Sequence, residues 1–315
     1  MKKSSSNSKS RGGAALMLAL WALFLLSAMV ISWALDINSR LVVSGNAGRV
    51  LDAEAMASSG GDIALAEVAL RPKNAPNSPN LHAQLGNQEG YDVQMRGECG
   101  RLNLKFLTVG EEPAKLEILR RYLTLKGVEL NDLDTMVDSL LDWASPGQGI
   151  HHLNACPETG DYRPPHAPLT SVDDLKKICG WAEFTSTPGW DEDFTVCDQC
   201  NQGIDVAWAS RDALRALGIG DDYVNRFLQL RAGPDGVDGT ADDTQFNDAQ
   251  DALTRGLGLN SQQISQLQNL VESNFPVFRV VSEGKSGDVT RSVQMIVSGG
   301  GGLRGHPLVI SWKEL

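Results

Sequence analysis

The densest run of ligand-type oxygens in the sequence is Gly233-Pro234-Asp235-Gly236-Val237-Asp238-Gly239-Thr240-Ala241-Asp242-Asp243. A hard cation such as Ca²⁺ takes carboxylate, hydroxyl and carbonyl oxygens, and interspersed glycines let the backbone wrap closely round it. Asp235, Asp238, Thr240, Asp242 and Asp243 are therefore the candidate calcium ligands. The spacing is not that of an EF-hand: the sixth position counted from Asp238 is Asp243 rather than glycine, and no glutamate closes the loop. The competing reading is a solvated acidic turn, because Asp, Gly and Pro are the residues that build turns.

Sulfur is the second source of chemistry. The five cysteines are Cys99, Cys156, Cys179, Cys197 and Cys200. Cys197-Asp198-Gln199-Cys200 has the spacing of a local disulfide, a redox pair or half a zinc site. Cys156 and Cys179 would complete four thiolates, with His151 or His152 as substitutes. A thioredoxin-type redox pair needs a strand before it and a helix after it. The flanking Asp191-Glu192-Asp193 and Asn201-Gln202-Gly203 read as loop. In an oxidising compartment disulfides are the expected state, and the odd count leaves at least one thiol free or paired between chains. None of the five histidines stands in a nucleophile or metalloprotease motif. The expectation is a protein without catalytic activity.

The carrier of these groups begins with a basic, serine-rich leader. Lys2, Lys3, Lys9 and Arg11 precede Gly12-Gly13, and residues 14–35 then carry no charged side chain. As a helix that run is about 33 Å long, enough to cross a bilayer's hydrocarbon, with the basic end cytoplasmic. A plain anchor is one reading. A cleavable secretory signal is another, with Ser32-Trp33-Ala34 as a small-x-small cut, although the run exceeds the roughly 7–15-residue core of such signals. Losing residues 1–13 takes the net charge from −11 to −15. An exported body that acidic is a poor ligand for nucleic acid, whose affinity rests on phosphate neutralisation. It suits calcium or basic protein partners.

Periodicity then divides the chain. Helical spacing continues to about Leu70, with Leu51, Ala55, Ile63, Ala66 and Leu70 as the apolar stripe and Gly60-Gly61 as a weak point. Residues 90–95 alternate apolar and polar, as a strand does. Leu133, Met136, Val137, Leu140 and Leu141 form a helical stripe with Asn131 as a candidate cap. Ser171-Val172-Asp173-Asp174 reads as a capping box opening a helix through Leu175 and Ile178. Leu217-Gly218-Ile219 recurs forty residues later as Leu257-Gly258-Leu259, followed by matching apolar positions Val224, Phe227, Leu230 and Ile264, Leu267, Leu270. Each copy reads helix, glycine turn, cap (Asp221 or Ser261), helix. Such helix-hairpin-helix turns present N–H groups to DNA phosphates elsewhere, and the acidity argues against that use here. From Pro276 the period becomes two, giving three strands that need a face to bury.

The order basic leader, Gly13, Ala14-Ala15-Leu16-Met17-Leu18 resembles a prepilin leader, which is cut after the glycine and leaves the helix on the mature chain. Pilins and most pseudopilins carry glutamate at the fifth mature position, where it pairs with a neighbour's terminal amine; here that position is Leu18. An unpaired carboxylate in a membrane is costly, so a subunit with no neighbour above it gains by losing the acid. Glu98-Cys99-Gly100-Arg101-Leu102-Asn103-Leu104 resembles the acidic-x-Gly-Arg-Leu-Asn-Leu segment of the K-type minor pseudopilins of type II secretion, and Trp312-Lys313-Glu314 resembles their ending. Those relatives often carry Asp-Trp followed shortly by a second acid; Asp142-Trp143 is present here but Ala144-Ser145-Pro146 follows.

The resemblance implies an α+β, pilin-like fold: a long N-terminal helix on an antiparallel sheet, with a large all-α insertion containing helix-hairpin-helix (SAM-like) modules. The implied units are residues 1–13 (leader), 14–35 (transmembrane half of the helix), 36–71 (periplasmic half), 72–110 (first part of the head), 111–274 (insertion) and 275–315 (terminal strands). The implied role is initiating or capping the pseudopilus at its tip, with I-type and J-type minor pseudopilins as partners. The resemblance also implies cleavage after Gly13 by the prepilin peptidase, N-methylation of Ala14 and contact with the inner-membrane assembly platform. It further implies a single-pass inner-membrane location with the bulk of the chain in the periplasm. A type IV pilus minor pilin or adhesin, and a membrane-anchored periplasmic helix-hairpin-helix protein, remain the alternatives.

Overall fold

The structure, a computed structural model, describes residues 11–72, 74–86, 88–146, 151–236, 238, 242–272, 276–299 and 306–315. Helix α1 (Arg11–Leu70) is unbroken over 60 residues, about 90 Å at helical rise. Strands β1 (His82–Leu85) and β2 (Glu89–Gly97) follow it as a hairpin. The chain then makes the short strand β3 (Leu102–Asn103) and the helices α2 (Leu104–Thr108), α3 (Pro113–Leu125) and α4 (Leu130–Ala144). Next come two-residue strands β4 (Phe194–Thr195) and β5 (Ile204–Asp205), then α5 (Arg211–Ala216) and α6 (Asp221–Arg231). Helix α7 (Ala249–Asp251) runs into a π-helical turn, Ala252–Gly256, ahead of α8 (Ser261–Leu267) and strand β6 (Val271–Glu272). Strands β7 (Val277–Ser286), β8 (Val289–Ser298) and β9 (Leu308–Glu314) close the chain.

The main sheet has the order β1-β2-β7-β8-β9, antiparallel throughout. Gly97 at the end of β2 pairs with Phe278 at the start of β7. Everything between them therefore leaves and returns at one end of the sheet, which makes it an insertion into the head. Strand β1 has no counterpart in the sequence reading; four residues of mixed polarity at a sheet edge give no periodic signal.

The buried face of α1 corrects the predicted stripe. Leu51 and Leu70 are exposed (65% and 76%), whereas Ala53, Ala57, Ala64 and Val68 are fully buried. A Cβ on Gly60 would strike Ser282 and Val93, one on Gly61 would come within 3.0 Å of Met295 Cε, and one on Gly284 would overlap the α1 backbone at Ala53 and Ala57. Small residues on both elements let helix and sheet approach backbone to backbone, so size rather than hydrophobicity selects the face. Gly60-Gly61 lies in this close seam and interrupts nothing.

Cap positions also shift by a residue or two. The N-cap of α4 is Glu129, that of α6 is Gly220, and that of α8 is Asn260 in a capping box with Gln263. Ser171 and Asp174 do form a capping box, but on the short 3₁₀ turn Val172–Lys177, with Ile178 just beyond it. Both glycine turns of the forty-residue repeat are left-handed, with φ of 87° at Gly218 and 69° at Gly258.

Candidate functional sites

The Glu98–Leu104 segment is the joint between head and insertion. The Glu98 side chain is fully buried and accepts both arms of Arg279 on β7, Nε at 2.7 Å and Nη2 at 2.8 Å. It also accepts Thr195 Oγ1 on β4 at 2.5 Å and lies 3.5 Å from Arg101 Nε. Burial lowers the Arg279 pKa, and the Glu98 carboxylate outweighs it and holds the group above its ordinary value. Arg101 is pulled down by burial and by Arg279 beside it. A Cβ at Gly97 or Gly100 would overlap Trp208, which fixes glycine at both positions. Asn103 Nδ2 donates to the carbonyls of Cys197 (2.7 Å) and Cys200 (3.1 Å), while its Oδ1 caps α2 through the Lys105 N–H. Leu102 and Leu104 enter the insertion's core. Glu98, Gly100, Leu102, Asn103 and Leu104 each have a mechanical reason.

A disulfide bolts the same joint. Cys99 is bonded to Cys200, with Cα atoms 5.0 Å apart, and Cys156 to Cys179, with Cα atoms 6.1 Å apart. Cys197 is a buried thiol beside the first bond, and burial pushes its pKa up. The structure thus decides between the sequence readings in favour of disulfides. Cys197 and Cys200 form no local disulfide, because the β2–β3 joint brings Cys99 to Cys200. Cys156, Cys179, Cys197 and Cys200 do not gather into a four-thiolate zinc set, because Cys156 and Cys179 are bonded to each other and lie outside the cluster of Cys99, Cys197 and Cys200.

Asp142, near the end of α4, does more than finish its helix. Its carboxylate accepts the His152 backbone N–H (3.0 Å), His151 Nδ1 (2.8 Å) and His152 Nδ1. His152 Nε2 faces Glu111 at 3.1 Å, and His166 joins the Asp142 carbonyl to Glu158, each at 2.9 Å. One turn earlier Asp138 holds Asn154 by backbone and side chain. Burial pushes the Asp142 carboxyl up, and the histidine hydrogen bonds outweigh it and hold it below the ordinary carboxylate value. Burial draws His152 down, and the carboxylates on both ring nitrogens outweigh that and hold it above the ordinary imidazole value. The side chain of His152 is only 16% exposed, whereas that of His151, at 52%, stands at the surface. The cluster staples the 151–166 loop to α4.

The acidic loop is sewn back onto α6. Arg231, at the end of that helix, donates Nε to Asp238 Oδ1 (2.9 Å) and Nη2 to Asp238 Oδ2 (2.6 Å). Its Nη1 reaches the carbonyls of Ala207 and Ala209. The Asp235 N–H donates to Asp242 Oδ2 at 3.2 Å, and Thr244 returns to the carbonyls of Leu230 and Arg231. Thr240 lies outside the described residues. Among the described residues no three His, Cys, Asp or Glu side chains come together as a metal site, and Asp238 gives both oxygens to a guanidinium.

Gly13 and Ala14 lie in the helical backbone of the first turn of α1, and Leu18 is 71% exposed. Among the described residues α1 is the one helix long and apolar enough to cross a membrane, and its apolar segment is wholly unburied, as a single-pass anchor requires.

A long helix half outside the body, laid by its other half on an antiparallel sheet that is interrupted by a helical insertion, defines a pilin-like α+β fold. Comparison with solved structures finds the same architecture in a chain of the GspK-GspI-GspJ complex from the type II secretion system of enterotoxigenic Escherichia coli. The TM-score is 0.62 at 14% identity, over 88% of this chain and 99% of that one. At that identity the likeness establishes the fold. No family model and no curated protein matches the sequence.

Proposed function

We infer that this chain is a minor pseudopilin of a type II secretion system that sits at the pseudopilus tip and initiates or caps assembly. The observation that carries the reading is the match to a chain of the GspK-GspI-GspJ complex, which covers head and insertion together. Three further features support the tip position. Leu18 stands where a subunit inside the fibre needs an acid to neutralise its neighbour's amine. The insertion is bulky and emerges at one end of the sheet, where a terminal subunit has room for it. The stripe containing Leu51 and Leu70 is exposed on α1, apolar and free for the helices of I-type and J-type partners.

In this reading the prepilin peptidase cuts after Gly13, Ala14 becomes the methylated N-terminus, and α1 is drawn from the inner membrane by the assembly platform while the body works in the periplasm. The role is mechanical and non-enzymatic. Calcium belongs to the reading only through the oxygen-rich loop, and a thermal-shift titration with calcium against a chelator tests it.

The deciding experiment is the intact mass of the membrane-extracted protein, made with and without the prepilin peptidase. Loss of residues 1–13 only in the presence of the peptidase is the expected result. An uncut chain, or a cut near Ala34, overturns the reading. Recovery of the processed chain with I-type and J-type subunits, and its failure when Leu51 and Leu70 are both changed to Glu, then tests the tip complex.

A further inference from the structure

A cavity of about 390 Å³ opens along the seam between head and insertion. Its walls include Pro72 and Phe278 from the head, Trp208 from the joint and Phe246 from the loop after α6. Phe246 is held in place by stacking on Phe227, with ring centroids 5.4 Å apart. Polar side chains, among them Asn74, Asn77, Thr244 and Gln245, interrupt these walls, and two buried charged ones, Arg231 and Asp205, lie with them. Arg231 lines the cavity, but its guanidinium is already committed to Asp238 and to the carbonyls of Ala207 and Ala209. Asp205 also lines it and is only 2% exposed. Its Oδ1 accepts the Ala207 N–H at 3.1 Å, while no hydrogen bond from the described residues reaches Oδ2. Oδ2 is also not among the polar atoms sealed away without a partner. That oxygen therefore opens onto the cavity, where a hydrogen-bond donor can meet it.

An apolar, aromatic-walled cavity of this size has the dimensions of a small-ligand site, in which a few polar groups set orientation. Here the unmet demand is for a hydrogen-bond donor, best a cationic one. Trp and Phe faces add attraction for a cation. We propose that this cleft binds a primary ammonium group carried on an apolar stem, with Asp205 as its anchoring carboxylate. That chemistry is shared by a free organic amine and by the lysine side chain of a partner polypeptide. The proposal is independent of the pseudopilin reading, since it rests on the cavity alone.

The ionisation of Asp205 supplies a signature. Burial raises its pKa to about 7, with the Ala207 N–H and Arg231 pulling it down and Glu272 pushing it up. Asp243 also lines the cavity, and Asp238 partly neutralises Arg231. An ammonium meets a mostly neutral acid at pH 6 and a mostly ionised one at pH 8, so affinity should rise about tenfold across that interval.

The test uses the full chain in detergent micelles, with binding followed by saturation-transfer NMR and calorimetry against micelles alone. The probes are phenethylamine, N-acetyl-lysine methylamide, N-acetylnorleucine methylamide and 3-phenylpropanoate. The expected result is that phenethylamine binds with the tenfold pH dependence, that Asp205→Asn weakens it at least tenfold at pH 8, and that Phe246→Leu weakens it several-fold. Asn keeps the acceptor for the Ala207 N–H, so that variant should fold; if it does not, the pH profile of the unaltered chain decides. Binding of the lysine amide as well, but not of the norleucine amide, assigns the site to a partner's lysine. Binding of phenethylamine alone assigns it to free amines. Failure of both amines to bind, equal binding of 3-phenylpropanoate, or a flat pH profile overturns the proposal.

Discussion

Head and insertion solve the packing problem in opposite ways. The head buries Ala53, Ala57, Ala64 and Val68 with Gly60 and Gly61 against β2, β7 and β8, so its seam is made of backbone brought close. Among its described residues the insertion has no sheet of more than two strands, and it fills its centre with large side chains instead. Phe194 stands at that centre, edge-on to Tyr122 (5.0 Å), Phe184 (6.1 Å) and Trp181 (6.3 Å), and the buried Trp181 indole donates to the Met136 carbonyl at 2.9 Å. Regular strands supply their own hydrogen bonds and can be approached closely by small residues. Irregular loops and 3₁₀ turns must be held by bulk, caps and a disulfide. The head is thus most sensitive to gain of volume and the insertion to loss of it, and the joint at Glu98 connects them.

The largest break in that comparison should come from Phe194→Ala, which empties the insertion's centre and should cost about 4 kcal/mol. Urea unfolding measures the loss. Hydrogen exchange should show faster opening of α3 and α4 with β7 and β8 little changed. Glu98→Ala removes the carboxylate shared by Arg279 and Arg101 and leaves two guanidiniums facing each other. A loss of about 3 kcal/mol is expected, with exchange rising on both sides of the joint; a loss confined to either region would show that the joint does not couple them. Gly284→Ala places a Cβ against the α1 backbone, which cannot yield as a side chain would. It should cost about 2 kcal/mol, visible as faster exchange in residues 50–68 and in β7 but not in the insertion.

The smallest expected effect is a pH-dependent one at the loop staple. His152 has a folded pKa above its unfolded value, so its contribution is fully present below about 6.5 and is lost as pH rises through the folded value. His152→Asn should therefore lower stability more at pH 5.5 than at pH 9, read from thermal melts across that range. Equal losses at both pH values would mean that the ring's charge adds nothing to the Asp142 and Glu111 contacts.

Much of this was legible in the chain itself. The apolar run, the change of period from helical to two-residue, the forty-residue repeat and the Glu98–Leu104 segment all mark elements or positions that the structure contains. Their signals are local: side-chain spacing follows from the 3.6- and 2-residue geometry of the backbone whatever packs against it. The segment that reads as Glu-Cys-Gly-Arg-Leu-Asn-Leu could be recognised as special, yet its reason could not be read, because Arg279, Thr195 and Trp208 arrive from remote parts of the chain.

What only the tertiary structure decided has a common cause. Which face of α1 is buried depends on how near the sheet comes, and the sequence stripe followed Leu51 and Leu70 because it weighed hydrophobicity without distance. The partner of Cys200 depends on where the β2–β3 joint returns, so the local Cys197 pairing lost to Cys99 across 101 residues. Asp238 went to Arg231, Asp142 to two histidines, and Asp205 to the wall of a cavity between two regions. The sequence by itself determined the long helix, the main helical stripes and the later strands of the head in their order, because periodicity is a property of neighbours along the chain. Approach distances, pairings and cavities belong to neighbours in space, and only the fold could assign them.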